Sequence, residues 1–428
     1  MKYQLGRIKI KDIAFGDKTA VDSGTLYINR DELIELIKED KRIREVNVEL
    51  AKPGESVRIV PVKDVIEPRV KVEGKGVIFP GMLGKPENVG TGKTLVLDGA
   101  AVVTAGSIVG FQEGIIDMTG PGAEYTPFSK TNNIVLVCEP IEGLEKHEHE
   151  AAVRMAGLKA ASYLGNAARY QEPEELEEYE VLPINEALAR YPNLPKVVYV
   201  YLLQSQGLLH DTYVYGVDAK NILPTIIYPT EVMDGAIVSG NCVSACDKNT
   251  TYHHQNNPII QDLYKRHGKD INFIGVVITN ENVTLADKER SSNMVAKLVE
   301  FLGVDGAIIS EEGFGNPDTD LVMNTVKIEE KGVKTVVVTD EYAGRDGMSQ
   351  SLADADRRCD AVISGGNANE IIKLPPMEKI IGDKKHIDRI AGGFNGSLKP
   401  DGSIEVELQA ITGATNELGY NKLSARGY

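Results

Sequence analysis

The 428-residue chain has few basic side chains for its size and no long apolar stretch. Its 47 lysines and arginines are outnumbered by 63 acidic residues, which leaves a net charge of −16. Nucleic acids and anionic membrane surfaces bind basic protein surfaces, so this balance disfavours both as partners. No run of about 18 apolar residues is present to cross a bilayer. Residues 1–10 lack the apolar core of a signal peptide, so we expect a cytoplasmic protein.

Cysteine is scarce, and the common nucleotide-binding and hydrolase fingerprints are missing. Four cysteines in so long a chain do not make a disulfide scaffold. The pair Gly313 and Gly315 lacks the third glycine of a dinucleotide loop, and residues 90–94 lack the upstream glycine of a phosphate loop. A Gly-x-Ser-x-Gly nucleophile elbow is also absent. The sequence therefore gives little support to a nucleotide site or a serine hydrolase.

Residues 1–145 have the pattern of a β-rich domain. Segments 46–50, 57–60 and 70–73 alternate between apolar and polar residues, and Gly and Pro separate such segments. Residues 31–41 are a helical exception. A helix is predicted over 142–164, and the acidic segment 172–180 is typical of a solvated linker or a helix start. The rest of residues 146–241 mixes helical and strand patterns. We expect a β-rich domain over 1–145 and a mixed α/β segment over 146–241.

Residues 242–428 have a more regular pattern. Apolar strands over 271–279, 306–310, 335–339 and 361–364 alternate with helical segments near 284–302, 317–331, 348–356 and 367–373. This alternation predicts a parallel sheet with helices on both faces, which is a doubly wound, Rossmann-like domain. A polar or Gly-rich loop follows each strand. Because the carboxyl ends of such strands build the ligand site, these loops should converge. The predicted fold class is thus α/β, with a β-rich N-terminal region before the parallel-sheet domain.

A peptide bond between Asn241 and Cys242 lies near the middle of the chain, with Gly240 before it and Cys246 four residues after it. The Cys242 thiolate can attack the Asn241 carbonyl to give a thioester, and β-elimination then leaves dehydroalanine. Tautomerisation and hydrolysis of that residue would cap the new chain with a pyruvoyl group. An ordinary turn that carries a buried thiol is the simpler interpretation of the same residues.

Neighbouring residues suit such a cleavage. Ser239 and Ser244 can donate to the developing oxyanion, and His253 or His254 can move protons at neutral pH. A metal site at Cys242, Cys246 and His253 is an alternative, but no fourth ligand is visible, so we predict no metal. Cys246 is either a thiol close to the reactive group or a buried structural cysteine.

Two strand-end loops carry paired acids, Glu311–Glu312 and Asp340–Glu341. These acids suit an ammonium group, a metal or the backbone of a second subunit. Capping of the following helix is the alternative. We take Glu311, Glu312, Asp340 and Glu341 as candidate substrate-binding residues.

Residues 238–249, Val-Ser-Gly-Asn-Cys-Val-Ser-Ala-Cys-Asp-Lys-Asn, resemble the processing region of a reductase family. The family is the substrate-specific component B of glycine, sarcosine and betaine reductases, in the form of the proprotein that yields α and β subunits. The likeness runs through the chain, with blocks at 51–59, 110–118, 254–258, 310–317 and 339–349. The processing residues of the family fall on Asn241 and Cys242.

The resemblance implies reductive deamination of glycine, sarcosine or betaine in amino-acid-fermenting anaerobes, with acetyl phosphate as the eventual product. It also implies autocatalytic cleavage, a pyruvoyl cofactor derived from Cys242, and an iminium between that carbonyl and the substrate amine. The implied partners are a selenocysteine-containing component B subunit, the small selenoprotein A and a thioredoxin system, assembled with this chain in a hetero-oligomer.

The substrate class follows in part from this chemistry. Glycine and sarcosine can form the iminium, whereas betaine, a quaternary ammonium, cannot. The Asn241–Cys242 pair therefore favours glycine or sarcosine. The alternative function is an uncleaved betaine-type or scaffold subunit, which would bind the substrate and the selenoprotein partner without a carbonyl cofactor.

Overall fold

The computed structural model describes residues 1–110, 112–207, 212–240, 244–419 and 424–427. Asn241 and Cys242, which the sequence predicts as the processing residues, lie outside these ranges. Within them the chain is a mixed α/β structure with several sheets. No helix in these ranges is both long enough and apolar enough to cross a membrane.

The strands, in chain order, are β1 Lys2–Lys9, β2 Asp12–Phe15, β3 Ala20–Asp22, β4 Thr25–Ile28, β5 Ile43–Ala51, β6 Val57–Ile66, β7 Arg69–Glu73, β8 Gly92–Asp98, β9 Ala100–Gly106, β10 Gly114–Asp117, β11 Asn132–Pro140, β12 Glu175–Glu180, β13 Lys196–Leu203, β14 Thr212–Val214, β15 Val217–Asp218, β16 Thr225–Ile227, β17 Ile237–Ser239, β18 Asn272–Asn280, β19 Gly306–Ser310, β20 Lys334–Glu341, β21 Ala361–Asn367, β22 Ile371–Leu374, β23 Lys379–Gly382, β24 Ile404–Glu407 and β25 Ser424–Gly427. The helices are α1 Arg30–Lys38, α2 Lys146–Asn166, α3 Ile184–Arg190, α4 Pro229–Met233, α5 Thr251–Gln255, α6 Pro258–Arg266, α7 Leu285–Leu302 and α8 Asn316–Glu329.

Two sheets account for most of the N-terminal strands. One has the order β12-β1-β8-β7 and the other β10-β6-β9-β11-β5, and β23 from the C-terminal part pairs with β6. Helix α2 packs on the second sheet, where Gly157 lies very close to β6 and β9. A Cβ atom on Gly157 would lie 2.6 Å from the Thr104 side chain, so the helix approaches this closely only because it has a glycine there.

Several predicted elements of the N-terminal part are confirmed, among them the helix now bounded as α1 and the strands β5, β6 and β7. The acidic segment 172–180, expected as a solvated linker or helix start, is different. It forms β12, which pairs antiparallel with β1 from Glu175 to Glu180. Leu176 and Glu178 alternate with half-buried Glu177 and Tyr179, so this polar edge strand presents one face to water.

The third large sheet is mostly parallel, with the order β16-β18-β13-β19-β20-β21-β25. Its five central strands are parallel to their neighbours, and β16 and β25 are antiparallel. Numbered along the chain, the parallel strands follow the order 2-1-3-4-5. The first of them, β13, precedes position 241 but lies between β18 and β19, which follow it. The predicted division at 241/242 therefore runs through one sheet.

The helices of the C-terminal part differ from expectation at two places. The predicted helices near 284–302 and 317–331 are confirmed as α7 and α8, which pack on this sheet through a core that includes Ile309, Leu321 and Ile328. The predicted helices over 348–356 and 367–373 are wrong. Residues 348–356 form bends and irregular backbone, because Asp346 and Asp354 accept hydrogen bonds from nearby backbone N–H groups. Residues 371–374 form β22, which pairs antiparallel with β24.

Candidate functional site

The turn that precedes Asn241 is buried and is held by hydrogen bonds from three parts of the chain. Strand β17 ends at Ser239, and both Ser239 and Gly240 are buried. The Gly240 carbonyl accepts hydrogen bonds from Lys248 Nζ at 2.6 Å and from Ser239 Oγ at 3.0 Å. The Ser239 N–H donates to Thr251 Oγ1 at 3.0 Å. The peptide on the amino side of the predicted cleavage bond is therefore fixed in position.

Two side chains of opposite charge, Lys248 and Asp64, lie close to this turn. The Lys248 ammonium also donates to the Lys63 carbonyl. Asp64, on β6, accepts from the Thr251 N–H at 2.9 Å and from Thr251 Oγ1 at 2.7 Å. Burial raises the pKa of Asp64 to about 6, although the Lys248 charge and the bonds from Thr251 oppose the shift. At neutral pH a carboxylate on β6 thus fixes Thr251, which in turn fixes Ser239.

A small cavity adjoins Ser239 and Gly240. It leaves about 10 Å³ for the centre of a water molecule, which is room for one water and not for an amino acid. The other lining residues are mostly polar, namely Lys63, Asp64, Thr104, Glu150, Val153 and Arg154. The cavity can therefore hold a water molecule beside the peptide that precedes Asn241.

The two predicted proton-transfer histidines lie on α5, which begins at Thr251. His253 Nδ1 accepts from the Thr250 N–H at 3.1 Å, and His254 Nδ1 lies 2.8 Å from the Tyr201 hydroxyl. Burial lowers the pKa of both residues, and the positive charge of Lys248 lowers it further. The pKa of His254 falls to about 3. Both imidazoles are therefore neutral at pH 7, and the burial that keeps them neutral also makes them weak bases.

Cys246 is fully buried in the same segment. Its Sγ lies 3.9 Å from Asp247 Oδ1, and its carbonyl accepts from the Thr415 N–H at 3.0 Å. Burial raises the pKa of Cys246 well above its ordinary value, and the negative charges of Asp247 and Asp340 raise it further. The side chain therefore remains a thiol at neutral pH and is a poor nucleophile in this state.

Glu312 connects the turn segment to the carboxyl ends of the parallel strands. Its Oε1 accepts from the Asn249 N–H at 2.8 Å, and its own N–H donates to Glu281 Oε1 at 3.2 Å. The side-chain amide of Asn249 donates to Glu417. Residues 244–250 thus hold the Gly240 carbonyl through Lys248 and contact the strand-end acids through Asn249.

The other predicted acids lie at the same edge of the sheet. Asp340 accepts from Thr415 Oγ1 at 2.7 Å, and Glu341 accepts from the Ser364 hydroxyl. The Glu311 N–H donates to the Val338 carbonyl at 3.1 Å. The strand-end loops after β18, β19, β20 and β21 therefore contact one another, at the edge where the sequence predicts them to converge.

Burial favours the protonated form of several of these carboxyl groups. It raises the pKa of Glu281, Glu311, Asp340 and Glu417 well above their ordinary values, and neighbouring carboxylates raise the pKa of each further. Protonated Glu311 can donate to Asp318. In the described ranges, none of these four forms an ion pair with a lysine or arginine.

Among the residues that the structure describes, no three His, Cys, Asp or Glu side chains are placed so that they could hold a metal ion together. The alternative metal site of the sequence requires Cys242, which lies outside those residues.

The family described as glycine/sarcosine/betaine reductase component B subunits matches residues 1–426. This chain belongs to that family. The resemblance stated from the sequence is confirmed. The chain is therefore a subunit of an oxidoreductase that carries out reductive deamination.

Relatives of this component B chain act on different amines. The glycine reductase complex component B subunits alpha and beta of Acetoanaerobium sticklandii are 68% identical to it over 430 residues, with 100% of both chains covered. The sarcosine reductase complex component B subunit alpha of Peptoclostridium acidaminophilum is 61% identical, also over 100% of both chains. The betaine reductase complex component B subunit alpha of the same organism is 41% identical over 98% of each chain. No solved structure matches.

Sequence reasoning on this component B chain missed four buried residues of the site, Lys248, Asp64, Glu281 and Glu417. Lys248 lies within the quoted segment 238–249, so its proximity to Asn241 was visible, but its burial was not. Asp64 has no distinguishing feature in its strand. Glu281 and Glu417 are single acidic residues, whereas the sequence criterion for a substrate-binding site was a pair of adjacent acids.

Proposed function

We propose that this chain is the substrate-activating subunit of a glycine or sarcosine reductase complex, and that it cleaves itself between Asn241 and Cys242. The observation that carries the proposal is the buried turn at Ser239 and Gly240, fixed from both sides next to that bond. The full-length similarity to a relative named for both an alpha and a beta subunit supports two chains from one precursor. Identities of 68% and 61% to the glycine and sarcosine relatives, against 41% to the betaine relative, support the choice of substrates.

The proposed cleavage consumes two water molecules. Cys242 Sγ attacks the Asn241 carbonyl carbon, and the C–N bond breaks to give a thioester and a free amine. Loss of the Cys242 α-proton and of the Cβ–Sγ bond then leaves dehydroalanine at position 242 and a thiocarboxylate on Asn241. Tautomerisation to the imine and hydrolysis release ammonia and leave the pyruvoyl group. A second water converts the thiocarboxylate to a carboxylate and releases hydrogen sulfide.

The described residues suit this chemistry. The cavity beside Gly240 has room for a water molecule. His253 and His254 lie on α5 and remain the candidates for proton transfer, although burial makes both of them weak bases. Because Cys246 remains a thiol, it does not compete with Cys242 as nucleophile. A pyruvoyl group derived from Cys242 supplies a carbonyl that reacts with a primary or secondary amine and makes its C–N bond easier to break.

We infer that Glu311, Glu312, Asp340 and Glu341 bind the substrate ammonium or a partner subunit. The 2-1-3-4-5 strand order supports a doubly wound, Rossmann-like sheet, in which ligands bind where the order reverses, here between β13 and β19. Glu311 and Glu312 directly follow β19. Because burial favours the protonated form of Glu311 and Asp340, a cation that binds there would release protons from these carboxyl groups.

The proposed assembly is a cytoplasmic hetero-oligomer. Its other members are a selenocysteine-containing component B subunit, the small selenoprotein A and a thioredoxin system. Family membership and the strongly acidic composition, with a net charge of −16, support such a complex and leave nucleic acid and membrane surfaces as poor partners.

Denaturing mass spectrometry of the purified protein tests the cleavage. We expect two fragments, residues 1–241 and a chain that starts at the pyruvoyl group in place of Cys242, and we expect Cys242→Ala to remain one chain. Borohydride reduction with labelled glycine and with labelled sarcosine should then attach label to the start of the second fragment. One intact wild-type chain that still supports turnover with its partners would favour the scaffold alternative.

A further inference from the structure

Gln204 follows the strand at which the order of the parallel sheet reverses. Strand β13 ends at Leu203, so Gln204 is the first residue beyond its carboxyl end. In sheets of this kind, ligands bind in the crevice beside such a strand, here between β13 and β19. Gln204 is only 5% exposed, so its side chain is directed into the protein at this edge of the sheet.

The two ends of the Gln204 carboxamide differ in their hydrogen bonds. Its Oε1 accepts from the Ser205 N–H at 2.9 Å and from the Gln206 N–H at 3.2 Å, and these bonds fix the orientation of the group. Its Nε2 donates to no residue that the structure describes. The amino group is therefore available to an acceptor on a ligand.

Asp247 has a free atom of the opposite kind. The residue is 2% exposed, and its Oδ1 lies 3.9 Å from Cys246 Sγ. Its Oδ2 is buried and has no hydrogen-bond partner among the described residues. A buried carboxylate oxygen without a donor is costly, so a donor on a ligand would stabilise it.

Both free atoms face Gly313, in the loop after β19. A Cβ atom on Gly313 would lie 3.2 Å from Gln204 Nε2 and 4.0 Å from Asp247 Oδ2. Because both distances start from one point, the two atoms are at most about 7 Å apart. They do not bond to each other. A donor from the end of β13 and an acceptor from residues 244–250 thus lie on either side of a glycine.

We propose that Gln204 and Asp247 bind the two charged ends of the amino-acid substrate. The Gln204 amino group donates to the substrate carboxylate, and the Asp247 carboxylate accepts from the substrate ammonium. One methylene separates the two ends of glycine or sarcosine, and with hydrogen bonds of about 2.8 Å at each end such a molecule can bridge this gap. The inference rests on the substrates of the proposed function and assigns a residue to each of their ends.

A neutral donor suits the carboxylate end. The strand-end acids of the site repel a carboxylate when they are ionised, so they cannot hold that end of the substrate. A lysine or arginine in place of Gln204 would pair with those acids and would be lost to the substrate. The carboxamide of Gln204 donates without such competition.

The affinity should depend on pH through Asp247. Burial raises the pKa of Asp247 to about 7. The titratable groups that face it are Cys246 in its own segment, Asp340 on β20 and Glu417. Because the ionised form binds an ammonium better than the protonated form, we expect glycine to bind more tightly at pH 8 than at pH 6. This difference should be reduced in Asp247→Asn.

Equilibrium dialysis of labelled glycine against the purified full-length protein tests the proposal. Gln204→Glu keeps an oxygen for the N–H groups of Ser205 and Gln206 but has no amino group, and Gln204→Met has neither. We expect each of them, and Asp247→Asn, to weaken glycine binding by roughly 10- to 100-fold. If Gln204 only stabilised its own turn, Gln204→Glu would keep the wild-type affinity.

Two analogues report which end each residue binds. Glycinamide lacks the carboxylate, and glycolate lacks the ammonium. The preference of the wild-type protein for glycine over glycinamide should disappear in Gln204→Met, and its preference for glycine over glycolate should disappear in Asp247→Asn. Gln261→Leu on α6 and Glu231→Gln on α4 are the matched controls and should keep both preferences.

Wild-type affinity for glycine in both Gln204 variants, or in Asp247→Asn, would overturn this proposal and leave the proposed substrates in place. A wild-type protein that bound neither glycine nor sarcosine would overturn the proposed substrates as well. Denaturing mass spectrometry of the same samples reports on the proposed cleavage independently of either result. Hydrogen exchange at the β13 amides verifies that each variant is folded.

Discussion

Replacement of Glu311 by glutamine should stabilise the protein increasingly as the pH rises. Glu311 is buried at the end of β19, and its pKa lies well above the ordinary value of 4.5 because of burial and of the nearby Asp318. In Glu311→Gln the amide N–H can donate to Asp318, as a protonated carboxyl at this position could. The variant therefore retains the interaction and no longer has a titratable group there.

The size of the effect follows from the difference in proton binding. Below pH 4.5 Glu311 is protonated in both the folded and the unfolded chain, so its titration does not alter stability. Above that pH the unfolded chain loses the proton while the folded chain keeps it. Folding then costs about 1.36 kcal/mol more for each pH unit, until the raised pKa of the folded state is reached. Between pH 5.5 and 7.0 the stability of Glu311→Gln relative to wild type should thus increase with pH, with a limiting slope of about 1.36 kcal/mol per pH unit.

Hydrogen exchange at the β19 amides, read by mass spectrometry across this pH range, measures the local free energy of opening. It does not require the whole chain to unfold in one step. Glu289→Gln is the matched control, because Glu289 is exposed on α7, and its effect should not change with pH. A difference for Glu311→Gln that stayed flat from pH 5.5 to 7.0 would show that Glu311 is ionised in the folded protein, and the reasoning would be refuted.

Two further changes probe the framework of the site. Arg58→Met leaves the buried Asp117 carboxylate without its bidentate partner, whose nitrogen atoms lie 2.6 and 2.7 Å from the carboxylate oxygens. The free energy of unfolding should fall by about 3–5 kcal/mol, which urea unfolding measures. The double variant Arg58→Met with Asp117→Leu should regain part of this loss. Gly413→Ala places a Cβ 3.1 Å from His253 Cε1 at a residue with φ of +81°, and should cost about 1–3 kcal/mol and slow the cleavage. Unchanged melting and cleavage in Gly413→Ala would mean that the contact to His253 does not restrain that residue.

The parallel strands of the C-terminal part were predictable because buried strands are continuous apolar segments bounded by polar loops. By contrast, the sequence did not predict that β13 belongs to this sheet. Its segment, 197–203, reads as a strand, but its neighbours β18 and β19 begin about 75 and 110 residues later in the chain. The failed helix over 348–356 has another cause, since local Asp side chains bind the backbone there and no periodic pattern records that competition.

The candidate site was predictable in location and less so in composition. The rule that ligands bind at the carboxyl ends of parallel strands pointed to Glu311, Glu312, Asp340 and Glu341, whose loops do contact one another. The sequence did not point to Lys248 as a site residue, because what distinguishes this lysine is its burial and its hydrogen bonds to two backbone carbonyls. Neither property can be read from residue type or spacing.

The position of β13 between β18 and β19 imposes an order of events on the life of this protein. A cut between 241 and 242 separates the strand from both of its neighbours in the covalent chain, and neither half by itself contains the pairs that bury it. We therefore expect the sheet to form while the chain is still continuous, before the proposed cut. The second half would otherwise present the unpaired edges of β18 and β19, which are open to association with other chains. A precursor that cleaved itself at this bond would thus fold first and be divided later.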